Sequence, residues 1–85
     1  MESIIIAFRS RAHTVKFSTF LDGYGISNRI VNTPKEAGVG CGLSVEINKS
    51  HLQSARQLVY GVNLPSFAGF FSVKTFQGGR IVKSI

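Results

Sequence analysis

"GLSVEIN", residues 42–48, decides the fold. Leu43, Val45 and Ile47 alternate with Ser44, Glu46 and Asn48, and a period of two marks a strand with one face turned inward. After it, Ser50 to Gln53 has the spacing of a capping box. That predicts a helix from His51 to about Tyr60, with Leu52, Ala55, Leu58 and Val59 as its apolar stripe and Gly61 as its stop. Residues 69–76 and 80–85 then read as two strands joined by "QGG", a hairpin signal.

Before it stands "TPKE", residues 33–36. Thr33 suits a cap, Pro34 the first helical position and Glu36 the reciprocal partner. "AGVGCG" follows, and no helix survives Gly38, Gly40 and Gly42 so close together. One turn and then an irregular loop holding Cys41 is the expectation. "SNRIVN", residues 27–32, is a short strand carrying Ile30 and Val31. "SIIIAFRS", residues 3–10, is an Ile-rich run whose Ile4 to Phe8 read as a central strand covered on both faces. Ser10 can cap a helix from Arg11 to about Gly23. Phe17, Phe20, Leu21 and Tyr24 share one stripe of it, and Gly25 stops it in the C′ position.

The order is β-α-β-β-α-β with one extra terminal strand. It predicts an α+β fold, a ferredoxin-like plait with both helices on one face of an antiparallel sheet. Phe70, Ser72, Lys74 and Phe76 fall on one face of the fourth strand, and Phe71, Val73 and Thr75 on the other. The face without helices is read as open. Phe rings lying there would invite a ligand or a second copy, so a homodimer is expected.

Eighty-five residues make one domain at most, residues 1–85. The chain is 44% hydrophobic and 16% charged, a folding composition. Its net charge of +6 comes from ten Lys and Arg against four Asp and Glu. The bases are scattered and favour anionic partners without naming one. In "MESIIIAFRSR" the apolar run is too short for a signal peptide, and no stretch approaches the roughly 20 residues of a membrane span. A cytoplasmic chain with no membrane partner and a free thiol is expected.

Cys41 is the single cysteine, set between Gly40 and Gly42. One reading is a small buried hydrophobe, as free cysteines often are. The other is a reactive thiol. Flanking glycines remove side chains that would cover the sulfur, and they let another molecule's sulfur approach in line. Their backbone can also turn successive N–H groups into an anion nest, which with Lys35 nearby would favour thiolate. His13 could approach from the start of the first helix, or could be a polar residue of its first turn. His51 is expected to face solvent. One cysteine with two histidines is too few ligands for a metal site, and "GVGCG" lacks the Gly-Lys-Ser/Thr of a phosphate loop. No cofactor is expected.

The motifs "AFRSRAH" (7–13), "GYGI" (23–26), "RIVNTPKE" (29–36) and "CGLSV" (41–45) resemble a small bacterial family of selenium/sulfur carrier-like domains. The likeness covers about residues 4–48, and "GFFSV" (69–73) is similar to the family's closing strand. Arg9 stands where histidine is common, Lys35 where arginine is, and "AGVG" replaces a serine-rich run. The resemblance implies Cys41 as carrier thiol, with Ser10, His13, Lys35 and Glu36 as motif positions. The implied function is a carrier, more than an enzyme, holding sulfur or selenium on Cys41 as a persulfide or perselenide. Its partners would be donor and acceptor proteins. The alternative is a dimerising binding or regulatory module with an incidental cysteine. RNA binding by stacked aromatics is its weaker form, since residues 42–48 hold no aromatic and the RNP pattern is absent.

Overall fold

The computed structural model describes residues 2–39 and 42–85. Ile4 to Phe8 form the heart of strand β1 (Glu2–Phe8) and are all buried. The chain then enters helix α1 (Arg11–Gly23), strand β2 (Asn28–Asn32), a 3₁₀ turn (Lys35–Ala37) and strand β3 (Leu43–Asn48). A second 3₁₀ turn (Lys49–His51) leads into helix α2 (Leu52–Val62), and strands β4 (Phe67–Phe76) and β5 (Gly79–Ser84) follow. The architecture is α+β, with two helices and a five-stranded sheet ordered β2-β3-β1-β4-β5. Every neighbouring pair is antiparallel.

Strand alternation separates two apolar layers. On the helix side, Ile4, Ile6, Phe8, Val45, Ile47 and Phe70 pack with Phe17, Leu21, Ala55 and Val59. An aromatic series runs through this layer. Phe8 meets Phe17 at 5.4 Å and Phe67 at 5.8 Å between centroids, and Phe67 meets Phe70 at 5.3 Å. Arg56 closes it with its guanidinium 5.5 Å from the Phe70 ring.

The other side is not open, contrary to expectation. Ile5, Ala7, Phe71 and Val73 form a second buried cluster, and Ala37 and Val39 pack onto it together with Val31, Ala68 and Val82. The connection from β2 to β3 therefore folds back across the sheet. Phe70 and Phe71 are 4% and 8% exposed within one chain, so neither ring needs a second copy to cover it. Phe76, at the end of β4, is exposed.

Four local expectations also change. Tyr24 is 62% exposed: its ring meets Phe20 at 5.1 Å between centroids but is not buried with the rest of the α1 stripe. Gly25 N–H donates to the Asp22 carbonyl and Ile26 N–H to Leu21, both at 3.0 Å. This Schellman pairing ends the helix and returns the chain to the core through buried Ile26. Thr33 does not cap a helix, because the β2–β3 ladder captures it: its N–H donates to the Gly42 carbonyl at 2.9 Å. Ser50 does not open α2. The Asn48 side chain accepts the Ser50 N–H at 2.9 Å and nucleates the 3₁₀ turn first, so α2 begins at Leu52. Gly61 does not stop α2 either. Half-buried Val62 extends it, and Asn63 takes the left-handed position at φ 50°.

Candidate functional site

Gly40 and Cys41 lie outside the described residues, so the site is built from what surrounds that pair in the chain. On either side, Gly38 has φ 68° and Gly42 has φ 84°. A Cβ added at either would meet nothing within 4 Å. These glycines are therefore required by backbone conformation and not by lack of space. Gly42→Ala is expected to cost about 1–2 kcal/mol, the left-handed penalty of an L residue. A denaturant titration should show a lower midpoint with an unchanged slope. An unchanged midpoint would mean that the chain relaxes away from this φ.

The residues after the cysteine are firmly held. Thr33 and Ser44 share a hydrogen bond between their hydroxyls at 2.6 Å, and Ser44 is fully buried. Buried Thr14, in the first turns of α1, divides its hydroxyl proton between the Ser10 and Leu43 carbonyls, 3.2 Å from each. The start of α1 is thus bonded to the start of β3. A buried hydroxyl left without such partners would cost about 1–3 kcal/mol, so these bonds fix the two elements to each other.

Ser10 acts as the expected N-cap: its hydroxyl accepts the His13 N–H at 3.2 Å. The His13 ring is half-buried, and its Nδ1 lies 2.6 Å from the Ser66 hydroxyl in the connection between α2 and β4. Ser66 also accepts the Ser10 N–H at 3.3 Å, and its carbonyl accepts the Arg9 N–H at 2.8 Å. Ser10, His13, Thr14, Ser66 and Gly42 therefore gather at one end of the sheet. His51, at the end of the turn that follows β3, is half-buried and lies toward the opposite end.

Lys35 is exposed on the 3₁₀ turn before the cysteine. Its neighbour Glu36 does not make the reciprocal cap of a capping box. It reaches the far edge of the sheet, where Arg80 of β5 holds both carboxylate oxygens, Nε at 3.0 Å and Nη2 at 3.1 Å. That fork, aided by the Glu36 backbone N–H, holds the Glu36 carboxyl below its ordinary range. It raises the Arg80 guanidinium correspondingly. Glu46 pairs with Arg29 and Glu2 with Lys49. No ion pair among the described residues involves Lys35.

Thr14, Ser44, Ser66 and Arg80 carry the geometry that sequence reading missed. Thr14 lies three before Phe17 and seven before Leu21, a spacing that puts it on their buried stripe. Ser44, paired with Ala7, falls on the sheet face without helices. Nothing in the spacing of Ser66 or Arg80 marks them, since both act across long sequence separations. Among the described residues, no helix is long and apolar enough to cross a membrane, and no group of three or more His, Cys, Asp or Glu comes together.

No curated protein and no solved structure matches the chain. A family model described as "Putative Se/S carrier protein-like" matches residues 3–66, from β1 through Ser66 and including Cys41, His13 and the Lys35–Glu36 turn; over that span the chain belongs to this family.

Proposed function

We propose that this protein carries one sulfur or selenium atom on Cys41. The observation that carries the reading is the family match over residues 3–66, a span that contains the chain's single cysteine. The Cys41 thiolate attacks the terminal sulfur of a donor persulfide. A new S–S bond forms at Cys41 as the donor's own S–S bond breaks, and the donor leaves as a thiolate with that electron pair. The sulfur arrives without net oxidation, and a second exchange of the same kind delivers it to an acceptor thiol. Selenium travels the same way as a perselenide.

Support comes from the surroundings of the loop. Left-handed Gly38 and Gly42 keep side chains away on both sides. Exposed Lys35 brings a positive charge to the same loop. The Thr14–Leu43 bond ties that loop's exit to the first turns of α1, whose N-terminal end favours an anion nearby. His13, steadied by Ser66, is the candidate proton acceptor for the thiol. Exchange of this kind makes the protein a carrier for donor and acceptor proteins. A single free cysteine fits a reducing compartment such as the cytoplasm. The order β4-β1-β3-β2, with β5 outside β4, supports reading the fold as a ferredoxin-like plait.

The RNA-stacking alternative loses support on the non-helical face. Its buried aromatic, Phe71, is 8% exposed beneath Ala37 and Val39. Intact mass after incubation with a protein persulfide donor tests the carrier reading. The expected result is a gain of one sulfur or one selenium atom per chain, removed by a thiol reductant. A chain that takes up neither atom from an active donor overturns it.

A further inference from the structure

We propose that Arg80 is a positioning residue for the cysteine loop, holding it across the sheet through Glu36. The inference rests on the carrier reading of Cys41 and adds to it a residue outside the family match, which ends at residue 66.

The loop between β2 and β3 leaves one edge of the sheet, β2, and its 3₁₀ turn bonds to the opposite edge, β5. Three contacts hold it there. Ala37 and Val39 sit on the apolar patch of Ile5, Ala7, Phe71 and Val73. Thr33 closes the loop's base against Gly42 and Ser44. The two-pronged Glu36–Arg80 pair holds the 3₁₀ turn, one residue after Lys35 and five before Cys41 in sequence. Arginine suits this role because its planar fork grips both carboxylate oxygens and so fixes orientation as well as distance. Left-handed Gly38 ends the turn one residue before Val39, so the anchored turn sets where the chain enters the approach to Cys41.

The charged groups acting on Glu36 are Arg80 from β5 and Lys35 from its own turn. Both favour the carboxylate, so the folded-state pKa lies below the unfolded one. The clamp is therefore complete above the unfolded pKa and is lost as pH falls through the folded one.

The test compares Arg80→Ala and Arg80→Lys with the parent chain by two measurements. The first is amide exchange at Ala37 and Gly38, whose N–H groups donate to Pro34 and Lys35 within the turn. The second is the rate of sulfur uptake from a protein persulfide. Arg80 is exposed and a change there leaves the core intact. In Arg80→Ala, exchange should rise and uptake fall, each by about two- to fivefold. Arg80→Lys should restore part of both. Acidification through the Glu36 pKa should bring the parent's exchange rate to that of Arg80→Ala, which should show no such step. Unchanged exchange in Arg80→Ala overturns the clamp. Faster exchange with unchanged uptake overturns the positioning role and leaves a structural pair. If the parent takes up no sulfur at all, the carrier reading and the positioning role fail together, while the exchange data still decide the clamp.

Discussion

Cys41→Ser should abolish the proposed sulfur and selenium uptake completely, because no other thiol exists in the chain to receive the atom. Serine differs by one atom, and its alkoxide is not formed at neutral pH, so no residual rate is expected. The same variant separates the two readings of this cysteine by its stability. A thiol that serves partners sits within their reach, and its replacement should move the unfolding free energy by no more than about 0.5 kcal/mol. A cysteine packed as a core hydrophobe would instead bring a hydroxyl into apolar surroundings, at about 1–3 kcal/mol. Chemical denaturation and intact-mass analysis on one preparation give both answers. Uptake retained by Cys41→Ser would show that sulfur binds elsewhere, and a large loss of stability would favour the buried reading.

Phe8→Ala should be among the most destabilising single changes in the protein. Phe8 is fully buried where β1 ends, with the Phe17 ring of α1 on one side and Phe67 of β4 on the other. Truncation removes both ring contacts and leaves a cavity that three different elements would have to move to fill. The expected cost is about 3–5 kcal/mol. A chain of this length has roughly 4–13 kcal/mol in total, at about 0.05–0.15 kcal/mol per residue. Thermal unfolding should therefore fall by roughly 12–40 °C, or the variant should fail to fold. Phe8→Leu keeps most of the volume and should lose considerably less. A Phe8→Ala midpoint within a few degrees of the parent would contradict the packing described. Ser10 follows Phe8 by two residues, so partial loosening here should also reach the α1 start and slow uptake.

Much of the fold could be read from period alone. The alternation of residues 43–47 and the apolar run of Ile4 to Phe8 gave β3 and β1, because a strand's inward face is written in adjacent residues. α1 was equally legible: Ser10 caps it, and its bounds are Arg11–Gly23. What failed were places where a local signal met a stronger nonlocal one. Thr33 has a capping side chain, but the ladder to Gly42 claimed its backbone. Ser50 begins a capping box, but Asn48 capped the chain earlier. Glu36 was read as half of a local cap and instead pairs with a residue 44 positions away. The covering of the second sheet face was hidden for the same reason. Ala37 and Val39 are small apolar residues among glycines, and only the return of the loop over the sheet gives them a surface to bury. Around the candidate site, Ser10 and His13 could be named from sequence and the structure brings them together, while Lys35 stands exposed on the 3₁₀ turn. Ser66 and Arg80, which the geometry adds, could not be named that way.

The separation of Glu36 from Arg80 sets an order in time as well as in space. On the ribosome the chain grows at about 5–20 residues per second, so the 44 positions between them take roughly 2–9 s to make. Throughout that interval the loop has been made while the arginine that grips it has not. β4, which pairs with the centre of the sheet, is also still to come. A growing chain thus contains its thiol before the surroundings proposed to govern that thiol exist, and it needs the β4–β5 hairpin to acquire them. The cysteine loop is made early and anchored late.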